Sequence, residues 1–181
     1  MKGICFKEDM FLSVLKKRKD QTRRLIKVPG GALRPVGQGR TAFMFLNNDG
    51  DMHYIRPKYL PNEVIYLKEP YVVWGKDSKQ KVMYRYNISQ PIKVSKWENK
   101  LFMPAKYSRY WIRITGVGVQ KLHDIDDIDV KREGFADLEG FKAKWEEING
   151  RNAWSENPYV WVYSFVLEYA DKRMFGHNAD A

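Results

Sequence analysis

The sequence predicts an α+β protein: a small barrel or curled sheet of mostly antiparallel strands, flanked by three short helices. Its 181 residues are 44% hydrophobic and 14% aromatic, which is enough to build a core. Many short apolar runs are separated by Gly, Pro, Asn and Asp turn signals, a pattern typical of small barrels and curled sheets. The length is that of one domain, and we expect it over residues 1–170, with a loose polar tail over 171–181.

The first part of the chain alternates strand, helix and loop patterns. Gly3–Phe6 reads as a short strand. Residues 7–17 have apolar side chains at helical spacing, with acids at the start and lysines at the end, as the helix dipole favours. Leu25–Val28 reads as another strand, and the Gly- and Pro-rich residues 29–40 read as a loop.

A β-hairpin is predicted next. Residues 41–46 and 52–55 are apolar runs, and they flank Asp49-Gly50. Asp-Gly between two such runs is a strong hairpin signal because glycine adopts the backbone angles of the tight turn at low cost. We therefore expect two paired strands that end near residue 59.

The second half shows longer elements. Four strands are predicted, at Val64–Glu69, Val82–Tyr86, Tyr110–Leu122 and Tyr159–Tyr169. A short helix should begin after Asp126, which suits a helix N-cap, and end before Gly134, which suits a C-terminal cap. Residues 138–148 form a second amphipathic pattern.

The net charge of the chain indicates which classes of partner it can bind. The formal net charge is +10, with 32 Lys and Arg against 22 Asp and Glu. Such a surplus attracts nucleic acid, nucleotides or acidic membrane surfaces, although it also serves solubility alone. No apolar run approaches the roughly 18 residues of a membrane span, and no secretory leader is visible, so we expect a cytoplasmic protein that does not enter membranes.

The cysteine and histidine residues do not show the spacing of a metal site. Cys5 is the one cysteine, which excludes an intramolecular disulfide and fits a reduced compartment. His53, His123 and His177 are far apart and show no metal-ligand spacing. We therefore predict no metal and no cofactor.

A basic stretch, "KKRKDQTRR", covers Lys16–Arg24. Lys16 and Lys17 fit the end of a helix. Residues 18–24 are compatible with three interpretations: a solvated charge run, a phosphate-binding patch or part of an active site. If the segment is extended, Arg23 and Arg24 point to opposite faces. One would then meet a ligand and the other a carboxylate such as Glu69, and we assign the structural pair to Arg24.

The chain resembles the ASCH-domain family, most closely the long ASCH-like proteins of phages and prophages. The resemblance covers about two-thirds of the chain and is carried, in order, by "RKDQTRR", "PNEVIYLKE", "YRYN", "MPAKYSRYWIRITGVGVQKL", "IDVKREGF" and "WEEINGRNAWSENPYVWVYSFVLEY". It implies a PUA-like β-barrel often used on RNA, with residues 29–60 as an insertion that carries the hairpin. Lys17, Asp20 and Asn62 depart from the residues usual at their positions in the family.

The resemblance also implies a catalytic set. Some compact members of the family resemble metal-independent amidohydrolases that remove the acetyl group of N4-acetylcytidine. In those, a Lys, a Thr three residues on and a Glu in a later helix form the proposed catalytic set. These positions correspond to Lys19, Thr22 and Glu133 in this sequence. The expected substrate is RNA or a modified nucleoside.

Two chemical schemes use these residues. The Thr22 hydroxyl is a weak nucleophile that needs a base, and Lys19 serves as that base only if burial and neighbouring arginines lower its pKa. Alternatively a protonated Lys19 stabilises an oxyanion and Glu133 handles the protons. The sequence leaves both schemes open.

Further residues are predicted to bind the ligand. Arg18, Arg23, Arg24 and Arg109 would contact phosphate, and Tyr107 lies in the polar stretch Lys106–Arg109, where an aromatic ring is placed to stack on a base. Most other aromatics are expected in the core.

Two other functions stay open. The chain would act as an RNA-binding module without catalysis if the basic motif only contacts phosphates. As a phage-type protein, it would instead use the hairpin over residues 41–59 to bind and block a host protein, since long insertions into compact domains are often functional.

Overall fold

A computed structural model describes residues 1–26, 34–39, 42–75, 80–86 and 94–169 of the chain. In these residues, the chain forms ten strands and three α-helices, an α+β composition dominated by strands, as the sequence predicts. No described helix is long and apolar enough to cross a membrane.

Some of the predicted features lie outside the described residues. These are the end of the strand at 25–28, parts of the loop at 29–40, and the tail at 171–181. They therefore stay predictions.

The strands and helices are numbered in chain order. The strands are β1 (Gly3–Cys5), β2 (Gln21–Leu25), β3 (Arg34–Gln38), β4 (Phe43–Leu46), β5 (Met52–Ile55), β6 (Val64–Lys68), β7 (Tyr71–Trp74), β8 (Lys81–Tyr84), β9 (Tyr110–Lys121) and β10 (Tyr159–Tyr169). The helices are α1 (Glu8–Leu15), α2 (Asp127–Arg132) and α3 (Leu138–Asn149).

The described residues group into two compact units, each built from separate chain segments. Unit 1 consists of the described residues of Met1–Lys17, Val64–Arg113 and Leu167–Ala181. Unit 2 consists of the described residues of Arg18–Glu63 and Ile114–Val166. Strands β9 and β10 each contribute residues to both units.

Unit 1 contains α1 and two groups of paired strands. Strand β6 pairs in parallel with β1 and antiparallel with the start of β9, and β7 pairs antiparallel with β8. Phe11 of α1 is fully buried, with its ring 5.1 Å from that of Tyr86 and 5.9 Å from that of Tyr110. These contacts belong to the buried face of α1, as expected for an amphipathic helix.

Unit 2 contains β2, the hairpin strands and the last two helices. Strand β10 lies between β9 and β2, and β2 runs antiparallel to β10 with Thr22 opposite Tyr163. Strands β3, β4 and β5 form a separate antiparallel sheet. Its buried residues Phe43 and Phe45 pack against Trp161 of β10, with ring centroids 4.9 and 6.2 Å apart.

A second core in unit 2 holds the helices. Helices α2 and α3 supply Val130, Phe141 and Trp145, which cluster with Leu122 and Val160 from the ends of β9 and β10. The caps of α2 are as predicted, with Asp126 before its first residue and Gly134 after its end at a φ of 91°. Asp137 caps the start of α3. Local signals therefore fix both helices.

Two fold predictions differ from the structure, and a third stays a prediction. The described strands pair into three sheets, and none of their pairings closes a barrel, so the PUA-like barrel stays a prediction. Strand β3 lies inside the segment expected to be a loop. Strand β2 begins at Gln21, four residues before the expected strand, because its polar residues find partners across the unit.

Candidate functional site

The segment before β2 is held at the end of α2. The Asp20 backbone N–H donates to the Arg132 carbonyl at 2.9 Å, and the Phe165 N–H donates to the Asp20 carbonyl at 2.8 Å. These bonds tie the segment to both α2 and β10. Lys19 is consequently directed into unit 2 rather than into solvent, and 1% of it is exposed.

Lys19 and Glu133 meet in the interior of unit 2. The Lys19 Nζ donates to Glu133 Oε2 at 2.6 Å and to the Glu133 carbonyl at 2.9 Å. The two side chains are 0% and 1% exposed. Glu133 caps the C-terminus of α2, where Gly134 turns the chain away with a positive φ. The helix end therefore offers both a carboxylate and a carbonyl to one ammonium group.

Arg23 connects Glu133 to a second carboxylate. Its Nη1 donates to Gln21 Oε1 at 2.7 Å and to Glu133 Oε1 at 3.2 Å. Its Nη2 donates to Asp129 Oδ2. Asp129 and Glu133 are four residues apart on α2 and so share one face of the helix. We call Lys19, Arg23, Asp129 and Glu133 the buried ionic cluster.

The buried ionic cluster balances two cations with two carboxylates. Burial lowers the pKa of the Lys19 ammonium from its ordinary value, the charge and hydrogen bond of Glu133 oppose this, and the charges of Arg24 and Arg23 add to the lowering. Desolvation outweighs the carboxylate because the side chain is wholly removed from water. Lys19 thus gives up a proton more readily than an exposed lysine.

Thr22 lies beside the cluster on a different face. It is 1% exposed and pairs across the sheet with Tyr163. Side chains alternate along a strand, so Thr22 and Arg23 point to opposite faces of β2. The structure joins Lys19 and Glu133 by direct contact, while Thr22 faces the side that carries Tyr163.

The other basic residues of the motif take different positions. Arg18 is exposed, directly before Lys19. Arg24 pairs across the sheet with Trp161, and its positive charge acts on both Lys19 and Tyr163. Arg23 pairs with two carboxylates, a structural role that the sequence predicts for Arg24.

Glu69 also has a different partner from the one expected. Arg109 binds it with two bonds of 2.8 Å and donates to the Tyr86 carbonyl at 2.7 Å. The Arg109 guanidinium also lies 4.3 Å from the centre of the Tyr84 ring. Arg109 therefore has a structural role in unit 1, in addition to the ligand contact that was predicted for it.

Tyr107 belongs to unit 1 as well. Its ring lies 5.6 Å from that of Tyr71, and the Lys106 ammonium is 4.8 Å from its centre. Its carbonyl accepts a hydrogen bond from the Tyr84 hydroxyl at 2.8 Å. Tyr107 and Arg109 lie in unit 1, whereas Lys19, Thr22 and Glu133 lie in unit 2.

Sequence reasoning missed Asp129 and Gln21 as members of the site. Asp129 is also an acid of the first turn of α2, which accounts for it without a role in a site. The signal that identifies it is its spacing of four residues from Glu133, because that spacing presents two carboxylates on one helix face.

The buried ionic cluster has the groups needed to move a proton. A lysine whose pKa is lowered can accept one, and a carboxylate at 2.6 Å stabilises the ammonium that results. Among the described residues, no group of three or more His, Cys, Asp or Glu side chains is placed to hold a metal ion.

No model of a protein family, no curated protein and no solved structure matches this chain. The likeness of its motifs to ASCH domains is therefore a prediction about family. The function has to be argued from the residues and geometry of the site itself.

Proposed function

We propose that this chain is an ASCH-like hydrolase that removes an acyl group from a modified nucleoside of the N4-acetylcytidine type, free or within RNA. Its active site would be built around Lys19 and Glu133. The observation that carries the proposal is the 2.6 Å contact between these two buried side chains, which are 114 residues apart in sequence. The motif resemblance names the same two residues as catalytic.

Amide hydrolysis needs a nucleophile, a base for its proton and an acid for the leaving nitrogen. In our scheme, a neutral Lys19 takes a proton from a water molecule as the water oxygen attacks the acyl carbon. The resulting ammonium is stabilised by Glu133 and returns the proton to the leaving amino group. Acetate and cytidine are the products.

Arg23 contributes to this scheme through its hydrogen bonds to carboxylates. It binds Glu133 through the oxygen that Lys19 does not use, and it holds Asp129 as well. These bonds fix the orientation of the Glu133 carboxylate. Glu133 is therefore placed to stabilise the positive charge that forms on Lys19.

The test is hydrolysis across a series of acylated nucleosides, followed by release of the free nucleoside. We expect turnover by the natural chain and a loss of at least about 100-fold in Lys19→Met, since a positioned base contributes that much or more. Lys16→Met is the matched control because Lys16 is exposed. It should keep full activity.

Two results would contradict the proposal. One is turnover that persists in a folded Lys19→Met variant, and the other is an absence of turnover by the natural chain on every acylated nucleoside. Thermal unfolding of each variant separates loss of chemistry from loss of fold.

A second candidate function is favoured by the burial of the site. The Lys19 and Glu133 side chains are at most 1% exposed, so the cluster also suits a structural link between β2 and α2. With a net charge of +10, the chain would then be an RNA-binding module without catalysis. RNA binding without turnover, unchanged by any folded Lys19 variant, would select this function.

A further inference from the structure

A cleft lies in unit 2 beside the tip of the β4–β5 hairpin. It has a volume of about 480 Å³, within the range of small-ligand sites. Its walls come from the start of β3, the hairpin turn and the ends of β9 and β10. They are formed by Arg34, Leu46, Asn47, Asn48, Gly50, Lys121 and Tyr159. None of these residues belongs to the buried ionic cluster.

The cleft has an excess of positive charge. Arg34 and Lys121 are two of its seven lining residues, and none of the seven is acidic. Arg34 pairs across the sheet with Leu46, which places its backbone next to the hairpin turn. The nearby acids Asp49 and Asp51 are on the turn but do not line the cleft. The lining therefore favours an anion.

Lys121 is held in position. Its Nζ donates to the Asn157 carbonyl at 3.2 Å and lies 4.3 Å from the centre of the Tyr159 ring. The ring face attracts the ammonium group and limits its motion. An ammonium has three N–H donors, so one bond to Asn157 leaves it able to donate to a bound anion.

The hairpin turn is also preorganised. The Asn47 side-chain oxygen accepts from the backbone N–H groups of Asp49 and Asp51, at 3.0 and 2.7 Å. Gly50 has a φ of 88°, which glycine adopts without strain. Asn48 is exposed beside this fixed turn and can donate and accept hydrogen bonds, as recognition of a sugar or base requires.

We propose that this cleft binds a phosphate-bearing ligand of nucleotide size. Arg34 and Lys121 would hold the phosphate, and Asn48 and Tyr159 would contact the nucleoside part. A free nucleotide and a nucleotide unit of single-stranded RNA offer the same chemistry. The proposal does not depend on hydrolysis at Lys19.

The test is isothermal titration calorimetry on the full chain. The probes are cytidine 5′-monophosphate, cytidine, inorganic phosphate and a short oligocytidylate RNA. We expect the monophosphate to bind more tightly than cytidine. Arg34→Gln and Lys121→Gln should each weaken it about tenfold, the cost of one charge-assisted hydrogen bond. Arg151→Gln changes the net charge equally on an exposed residue of the same unit, and it should have no effect.

The binding results either support the proposed site or contradict it. If only the RNA binds, and both cleft variants weaken its binding, the proposal holds and the ligand is single-stranded RNA rather than a free nucleotide. If cytidine binds as tightly as its monophosphate, if binding ignores both variants, or if no probe binds, the proposal is wrong. Arg34 is exposed, so Arg34→Gln gives a valid result even if Lys121→Gln disturbs the turn.

The two proposals can fail separately. Arg34→Gln should leave hydrolysis of phosphate-free N4-acetylcytidine unchanged, because no phosphate is present to lose a contact. Lys19→Met should leave binding of cytidine 5′-monophosphate unchanged, because Lys19 does not line the cleft.

Discussion

A lysine buried against a carboxylate is costly to build. Each ion loses its hydration, and the attraction between them repays this only when further hydrogen bonds are made. Here the Glu133 carbonyl provides one for Lys19, and Arg23 satisfies the other carboxylate oxygen. Every charge of the buried ionic cluster thus has a partner, which is why a fully buried lysine is tolerated.

The lowered pKa of Lys19 makes stability depend on pH. Between the lowered value in the folded chain and about 10.4 in the unfolded chain, only the unfolded state keeps this proton. Stability contributed by Lys19 therefore rises with pH through that window, by up to about 1.4 kcal/mol per pH unit. As the pH rises towards about 10, we expect denaturant unfolding to show a steeper increase in stability for the natural chain than for Lys19→Met.

The comparison between these two proteins isolates Lys19. Burial raises the pKa of Tyr163, which makes stability fall above about pH 10, but this contribution is common to both proteins. Lys16→Met, at an exposed position, should follow the natural chain. Identical pH trends for the natural chain and Lys19→Met would show that burial does not shift the Lys19 pKa.

At the scale of elements, α2 positions the site. It is a helix of six residues that supplies Asp129 and, at its C-cap, Glu133. A helix this short has little stability of its own, so its caps matter. Asp126 accepts a hydrogen bond from the Asp129 N–H at 2.7 Å, and Asp137 caps α3 in the same way through Gly140 at 2.8 Å.

The two caps provide a matched pair of variants. Asp126→Ala and Asp137→Ala should each lower the free energy of unfolding by about 1 kcal/mol. Only Asp126→Ala should also reduce deacylation, because it loosens the helix that holds Glu133. Denaturant unfolding and nucleoside release measure the two effects. Equal activity in the two variants would separate the site from α2 and contradict the proposed role of Glu133.

Local signals were sufficient to predict these helices. Asp126 and Gly134 mark the limits of α2, and the amphipathic spacing of residues 138–148 indicates α3. By contrast, the contact between Lys19 and Glu133 spans 114 residues, and only the motif resemblance indicated it. Spacing in a single sequence carries no information on which distant charges will pair.

Two strands show the limits of apolar patterns. Strand β2 reads Gln-Thr-Arg-Arg-Leu, whose polar residues give no alternation, yet it is buried because α2 supplies carboxylates for Arg23. Strand β3 contains Pro35 and Gly37, and its pairing with β4 is irregular between these two residues. Proline is tolerated on such an edge strand because it need not donate to a ladder.

At the scale of the whole molecule, charge distinguishes the candidate partners. Lys and Arg exceed Asp and Glu by ten, while the buried ionic cluster is balanced within itself. The surplus therefore resides in the rest of the chain, where cations such as Arg18 and Arg34 are exposed. A surface of this kind binds phosphates by releasing the counterions that surround them.

RNA binding should consequently depend on salt. Contacts with about four phosphates of a single strand predict a slope near −3 when the logarithm of the association constant is plotted against that of salt concentration. Fluorescence anisotropy with a labelled oligocytidylate measures this slope. Arg34→Gln should reduce its magnitude by about 0.7, because one phosphate contact is lost, while Arg151→Gln leaves it unchanged. Binding that ignores salt would exclude phosphate recognition and leave a protein partner as the better explanation of the basic surface.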